Sequence, residues 1–308
     1  MTFGGVVAAI DCGTNSTRLL IVDGEGSALV REMHITRLGE GVDATQELSD
    51  EAIARTLAVL RAFRTTMDEQ HVVRSRLVAT SAVRDARNGD TFLRSAADVI
   101  GTPAELLPGE EEGRLSYVGA TAGLPGGGGD DLVVDIGGGS TELVTERDGQ
   151  IHAISLKLGC VRLTEHYFGH DPPNQAEVSA TVHAIHTELD RAVTALPVLT
   201  TLRPESRLIG LAGTVSTLAA LELGLRAYTR ERLHHVRIMR TSVEKWCETL
   251  MAESSADRAL RAGMLEGRQD VIVGGALVLR EVISRFGFHD CLVSESDILD
   301  GLVDSMRR

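Results

Sequence analysis

Two hydrophobic patterns alternate along this chain, and together they predict an α/β protein. Short apolar runs, many of them β-branched, predict strands; they lie at 6–11, 17–23, 27–35, 76–80, 103–107, 132–135, 151–157, 207–212 and 291–294. Apolar positions repeated at helical spacing predict helices; they lie at 49–69, 91–100, 174–196, 241–252, 255–262, 269–286 and 298–306. The segment 228–239 fits neither pattern.

One of these strands leads into a glycine-rich turn that suggests chemistry. The stretch 132–144 reads as strand, carboxylate (Asp135), three glycines, two hydroxyl residues, and strand. Glycines allow backbone N–H groups to approach an anion closely. An aspartate beside a bound phosphate would repel it unless a divalent cation such as Mg²⁺ lay between the two. Taken alone, the stretch is equally compatible with an ordinary β-hairpin.

A second copy of the pattern strengthens the phosphate interpretation. The stretch 8–21 carries Asp11, Gly13 and Ser16 at positions 124 residues before Asp135, Gly137 and Ser140, without a gap. One repeat at this spacing indicates two domains of similar design rather than a solenoid. We therefore expect two phosphate-binding hairpins that face each other across a cleft.

Three further segments place polar residues after predicted strands, where open α/β sheets bind ligands. Arg84 follows the strand at 76–80, and Gly109 and Gly113 bracket three glutamates that begin a predicted helix. A glutamate there would suit a general base for water, although an acidic first turn also stabilises a helix N-terminus. Gly213 and Thr214 join a strand to a helix, a geometry that either binds an anion or caps the helix.

Composition and charge restrict the class of protein. The chain has 308 residues, a formal net charge of −13 and a hydrophobic content of 43%, which predicts globular domains and argues against broad nucleic-acid binding. Neither a membrane span nor a secretory signal is recognisable. The cysteines lack metal-binding spacing and predict free thiols in a reducing cytoplasm; they are Cys12, Cys160, Cys247 and Cys291.

Five motifs in order along the chain resemble the exopolyphosphatase / guanosine pentaphosphate phosphatase (Ppx/GppA) family of the actin-like ATPase superfamily. The motifs lie at 11–16, 79–84, 109–115, 135–143 and 158–162. The resemblance implies two actin-like (ribonuclease H-like) α/β domains with mixed sheets flanked by helices, and an active site in the cleft between them. We expect domains at 1–120 and 121–295, joined by a glycine-rich connection at 123–129, with a final helix at 296–308 that returns to the first domain.

The same resemblance assigns roles to individual residues. It implies Mg²⁺-dependent (or Mn²⁺-dependent) release of the terminal phosphate from inorganic polyphosphate, with Glu112 as base and Arg84 as a substrate-binding side chain. Asp11 and Asp135 match the metal-associated aspartates. The phosphate-loop positions are Thr14, Asn15, Ser16, Gly137, Gly138, Gly139, Ser140, Gly213 and Thr214.

The sequence departs from the family pattern near its end, where the stretch from Ser296 to Gly301 lacks an arginine that is frequent in the family. Longer members also carry extra helical domains, so we expect this chain to prefer shorter polymers. Guanosine pentaphosphate hydrolysis is the nearest alternative activity. An actin-like small-molecule kinase and a non-catalytic nucleotide-responsive protein are more distant alternatives. A homodimer is implied by the resemblance only.

Overall fold

The computed structural model describes residues 3–124 and 131–308. The described residues form two compact units. The first runs to Gly119 and includes Asp297–Arg308, and the second lies between Ala120 and Ser296. Most of the predicted connection at 123–129 lies outside the described residues.

The first unit begins with a hairpin and continues with strand–helix alternation. Its strands are β1 (Val7–Cys12), β2 (Ser16–Val22), β3 (Ala28–Ile35), β4 (Arg74–Ala79) and β5 (Ala104–Leu106). Its helices before the second unit are α1 (Val42–Thr45), α2 (Asp50–Glu69), α3 (Ser81–Asp85), α4 (Gly89–Ile100) and α5 (Gly109–Thr121). Among the described residues the strands form one mixed sheet in the order β3-β2-β1-β4-β5, with β1, β4 and β5 parallel.

The second unit repeats this plan. Its strands are β6 (Leu132–Ile136), β7 (Thr141–Arg147), β8 (Gln150–Leu156), β9 (Leu208–Leu211), β10 (Arg237–Met239) and β11 (Asp290–Val293). Its helices are α6 (Cys160–Tyr167), α7 (Gln175–Ala195), α8 (Ala212–Glu222), α9 (Arg230–Leu233), α10 (Arg240–Met251), α11 (Ser255–Ala259) and α12 (Ile272–Phe286), with a short 3₁₀ turn at Pro197–Thr201. The described strands form a mixed sheet in the order β10-β11-β9-β6-β7-β8. The last helix of the chain is α13 (Ile298–Arg307), which belongs to the first unit.

Burial on both faces of the first sheet explains why β1 is apolar without alternation. Ala8 and Ile10 pack with the side chains of α2 and α4, whereas Val7 and Ala9 pack with those of α13. This arrangement leaves polar residues only at the carboxyl end of the strand, where Asp11 stands. The α/β fold class predicted from the sequence, with two mixed sheets flanked by helices, is confirmed.

Two details of the second unit differ from the sequence-based predictions. The segment 228–239 forms the short elements α9 and β10, and α12 begins at Ile272 instead of 269. The glycines of α12 lie against neighbouring helices. A Cβ on Gly274 would meet Cys160 and Thr164 of α6, and one on Gly275 would meet Thr214 of α8.

None of the helices among the described residues combines the length and the apolar character needed to cross a lipid bilayer.

Candidate functional site

In the loop between β1 and β2, the carbonyl groups accept hydrogen bonds from backbone amides of neighbouring segments. The Gly13 amide donates to the Ser16 carbonyl at 3.0 Å and closes the turn. The carbonyl oxygen of Thr14 accepts from the amide of Gly39 at 2.8 Å, and that of Asn15 accepts from the amide of Thr36 at 3.1 Å. Within residues 3–124 and 131–308, the amides of Thr14 and Asn15 have no acceptor. The loop therefore offers N–H donors to a ligand, as an anion-binding turn requires.

The loop between β6 and β7 has the same hydrogen-bond arrangement. The Gly137 amide donates to the Ser140 carbonyl at 3.0 Å. The carbonyl oxygens of Gly137 and Gly138 accept from the amides of Cys160 and Val161 in the first turn of α6, at 3.0 and 2.9 Å. The amides of Gly138 and Gly139 donate to no group in the described part of the chain. The repeat read from the sequence is therefore a repeat of backbone geometry as well.

Helix α6 approaches this second loop so closely that only glycine fits before it. A Cβ on Gly159 would lie 2.1 Å from the carbonyl oxygen of Gly138, far inside van der Waals contact. The Arg162 Nε also donates to the Gly139 carbonyl at 2.8 Å. The loop is thus fixed from behind by the helix that follows it.

Asp11 is buried at the end of β1 and has one partnered and one unpartnered oxygen. The Nε and Nη2 of Arg18, its cross-strand neighbour, both donate to Oδ2, at 3.1 and 2.7 Å. Oδ1 is buried and has no partner among the described residues. Burial raises the pKa of Asp11, although Arg18 partly opposes that shift. A buried oxygen without a partner is costly, and a divalent cation would supply the missing interaction.

Asp135 stands at the matching position of the second hairpin, but its cross-strand neighbour is a carboxylate. The register pairs Asp135 with Glu142, whereas it pairs Asp11 with Arg18. Directly opposed residues lie on the same face of a sheet. Both carboxylates are buried, and the Ser155 hydroxyl donates to Glu142 Oε1 at 2.7 Å.

Arg84 and Glu112 lie together at the carboxyl ends of the parallel strands in the first unit. Arg84 Nη1 donates to the Leu107 carbonyl at 2.8 Å and lies 3.4 Å from Glu112 Oε2. The Glu112 side chain is 13% exposed. In contrast, Glu111 is 36% exposed and accepts from Arg114 Nε at 2.9 Å. The structure therefore separates the two neighbouring glutamates, and Glu112 is the one beside the arginine.

The third predicted loop is joined to the second one through Cys160. Gly213 and Thr214 lie in the first turn of α8, and the Cys160 side chain lies close to Thr214. The amide of Cys160 donates to the Gly137 carbonyl at 3.0 Å. A Cβ on Gly213 would lie 2.2 Å from Arg268 Cζ. The buried Arg268 guanidinium therefore covers this glycine closely.

The structure groups the predicted site residues by unit. In the first unit, the carboxyl end of the sheet carries Asp11, the loop 14–16, Arg84 and Glu112. In the second unit, the carboxyl end of the sheet carries Asp135, the loop 137–140 and the pair Gly213–Thr214. Sequence reasoning did not assign site roles to four residues in these surroundings, which are Arg18, Glu142, Arg268 and Asp297.

Side chains alone do not complete a metal site. In the residues that the structure describes, no group of three or more His, Cys, Asp and Glu side chains is placed to bind a metal ion. The unpartnered Oδ1 of Asp11 nevertheless fits a Mg²⁺ ion that takes most of its ligands from water and substrate phosphates, as this ion commonly does.

The fold and the two hairpins define an α/β protein with a duplicated, glycine-rich loop. The chain belongs to the Ppx/GppA phosphatase family, whose model matches residues 20–308. It is 42% identical to exopolyphosphatase 2 of Mycobacterium tuberculosis, over 97% of this chain and 98% of that protein.

Two solved structures are similar to this chain over nearly its whole length. The crystal structure of an exopolyphosphatase-like protein superposes with a TM-score of 0.91 at 34% identity, over 98% of this chain and 99% of that one. The structure of the Aquifex aeolicus PPX-GPPA enzyme superposes with a TM-score of 0.81 at 32% identity, over 98% and 99% of the two chains.

Proposed function

We propose that this chain is an exopolyphosphatase, which removes the terminal phosphate of inorganic polyphosphate by attack of water. The observation that carries the proposal is the pair formed by Arg84 and Glu112. A carboxylate that is largely buried beside an arginine, at the carboxyl end of parallel strands, suits activation of water next to an anionic substrate. The name of the Mycobacterium tuberculosis relative supports the choice of substrate.

Each group then has a chemical role. Glu112 orients the attacking water and accepts its proton as the new P–O bond forms on the terminal phosphorus. The bond from that phosphorus to the bridging oxygen breaks, which releases orthophosphate and a chain shorter by one phosphate. Arg84 and the loop amides donate hydrogen bonds to the terminal phosphoryl oxygens and stabilise their charge.

We further propose Mg²⁺ as the cofactor, with Asp11 and Asp135 as the residues that would hold it. A bound Mg²⁺ would neutralise phosphate charge and help to orient the chain. Asp11 Oδ1, which is buried without a hydrogen-bond partner among the described residues, would provide one oxygen ligand. The side chain of Glu142 adds a second buried carboxylate beside Asp135.

Several finer predictions from the sequence stay predictions. They are the domains at 1–120 with 296–308 and at 121–295, the shared site in the cleft, the homodimer, the cytoplasmic location and the preference for shorter polymers. The location has partial support from the four cysteines, all of which are buried free thiols. The shared site predicts that Asp11→Asn and Asp135→Asn each abolish the same reaction.

The test is phosphate release from a panel of substrates, measured with Mg²⁺ and with EDTA. The panel contains a ladder of polyphosphates, guanosine pentaphosphate and ATP. The proposal expects Mg²⁺-dependent release from polyphosphate that exceeds release from ATP. Phosphate release from guanosine pentaphosphate alone would show that this nucleotide, and not polyphosphate, is the substrate. Phosphate release from ATP alone would refute the proposal. Strongly processive digestion of the longest polymers would refute the chain-length prediction.

A further inference from the structure

A single arginine in the first unit connects two buried carboxylates that are far apart in sequence. Arg18 donates through Nε and Nη2 to Asp11 Oδ2, and through Nη1 to Asp297 Oδ2. Asp11 is 4% exposed and Asp297 is 7% exposed. Because both nitrogens on one side of the guanidinium bind the same oxygen of Asp11, the other oxygen is left without a partner in the described residues.

Asp297 is itself held in place by the start of the final helix. It is the N-cap of α13, where its Oδ1 accepts from the Leu299 amide at 3.0 Å. Its own amide donates to Asp300 Oδ2 at 2.9 Å, which completes a capping box. The other oxygen of Asp300 accepts from Arg31 Nη2 at 2.6 Å. The Asp297 side chain is therefore a fixed acceptor rather than a mobile surface group.

The backbone at Asp297 also packs tightly against the helix that carries Glu112. A Cβ on Gly119 of α5 would lie 1.9 Å from the Asp297 carbonyl oxygen, so glycine is required there. A Cβ on Gly301 would lie 2.1 Å from the Leu115 carbonyl oxygen of the same helix. These two close approaches fix α13 against α5, and they fix Asp297 with it.

We propose that Asp297 is a positioning residue, which holds Arg18 so that only one oxygen of Asp11 is occupied and the other is available to a divalent cation. This inference depends on the role proposed above for Asp11 as a cation ligand. The physical reason is the geometry of arginine–carboxylate pairs, which favour two parallel hydrogen bonds to both carboxylate oxygens. The Asp297 carboxylate binds the third nitrogen and keeps the guanidinium in its present position.

Loss of the Asp297 charge should therefore affect cation binding more than folding. In Asp297→Asn, the amide oxygen still caps α13, because asparagine is as good an N-cap as aspartate. The charge-assisted bond to Arg18 is lost, and the guanidinium shifts to bind both oxygens of Asp11. The cation then competes with Arg18 for Oδ1, and its affinity falls about tenfold, as is common when a supporting partner of a metal ligand is removed.

The experiment measures Mn²⁺ binding to the full chain without substrate, by electron paramagnetic resonance of the free ion, together with thermal denaturation. Four proteins are compared: wild type, Asp297→Asn, Asp300→Asn and Asp11→Asn. Asp300→Asn is the matched control, since it removes a charge from the same helix terminus while its amide oxygen can still accept from the Asp297 amide and preserve the capping box. We expect Asp297→Asn to weaken Mn²⁺ binding and Asp300→Asn to leave it unchanged, whatever the change in melting temperature.

A fifth and a sixth protein test whether the effect passes through Arg18. Asp297→Asn should have no further effect on Mn²⁺ affinity in an Arg18→Gln background, because the competing guanidinium is absent. Wild-type affinity in Asp297→Asn, with normal loss in Asp11→Asn, would overturn the inference and leave the proposed metal ligand intact. Unchanged Mn²⁺ binding in Asp11→Asn would overturn the metal assignment and the inference together. An equal loss of affinity in Asp300→Asn would also overturn the inference, because it would indicate a general charge effect.

Discussion

The replacement of Glu112 by glutamine is the sharpest test of the proposed chemistry. The substitution keeps the size and shape of the side chain and removes its negative charge, and with it the ability to accept a proton. Glu112 is largely buried and lies 3.4 Å from Arg84. We expect substrate binding to persist, since the backbone loops and Arg84 remain, whereas water activation should fail.

The structure separates the catalytic effect from any effect on folding. Loss of a positioned base lowers the rate by about 10²–10⁴-fold, which corresponds to about 3–5 kcal/mol of activation free energy. The contact between Glu112 and Arg84 is long and partly exposed, so its loss should cost at most about 1 kcal/mol of stability. Such a change leaves the protein folded, and unfolding therefore cannot account for a hundredfold loss of turnover.

The assay is steady-state phosphate release from polyphosphate, with kcat and KM determined separately and the melting temperature measured in parallel. Glu111→Gln is the control. Its side chain is more exposed and is engaged with Arg114, so kcat should stay within about twofold of wild type. Near-normal kcat in Glu112→Gln together with a large loss in Glu111→Gln would refute the assignment of the base.

Three further predictions concern stability and reactivity. Gly159→Ala should lower the urea midpoint by an amount equal to about 1–3 kcal/mol, because its Cβ would lie 2.1 Å from the Gly138 carbonyl oxygen; a wild-type midpoint would contradict this. Burial raises the pKa of Cys291 to about 12, so iodoacetamide at pH 8 should label it only after unfolding, as mass spectrometry would detect. The Ser27 amide, with its neighbours, holds the pKa of Asp23 below its ordinary value. The stabilisation from Asp23 is therefore complete at neutral pH and lost as the pH falls through that lowered value, and the deficit of Asp23→Asn in urea unfolding should be larger at pH 7 than at pH 3.

Local sequence signals were sufficient for the long elements of this fold. The helical period and the candidate cap at Ser49 predicted a helix at 49–69, and α2 spans Asp50–Glu69 with the Ser49 hydroxyl accepting from the Ala52 amide at 3.2 Å. A helix of this length repeats its apolar spacing many times, and its cap is encoded by adjacent residues. Both features can be read without knowledge of the rest of the chain.

Short elements depend on their surroundings and were not predictable in the same way. Helices α1 and α9 have four residues each, and β10 has three. Elements of this length contain too few positions to establish a period. Strand β10 is defined by its antiparallel pairing with β11, which lies more than fifty residues later in the chain. Only tertiary pairing can fix such a strand.

The residues of the candidate site also fall into two groups, those that local sequence patterns indicate and those that only tertiary packing brings together. The duplicated motif predicted both glycine-rich turns, and the hairpin register would also have pointed to Arg18 and Glu142 as neighbours of the two aspartates. In contrast, no local pattern associates Asp297 with Asp11, because the two are brought together by packing of the last helix on the first sheet. Arg268 likewise reaches Gly213 through a loop without a periodic signal.

The two hairpins share a backbone arrangement but differ in the charge that stands opposite each aspartate. In both loops the carbonyl groups are bound to the protein and adjacent amides are left to a ligand, so each can bind phosphate for the same physical reason. Opposite Asp11 stands a cation, Arg18, which occupies one oxygen and leaves one fixed oxygen available. Opposite Asp135 stands Glu142, so a buried carboxylate takes the position that Arg18 has in the first hairpin. Divergence at this one paired position therefore gives two glycine-rich turns of the same backbone arrangement different charged surroundings.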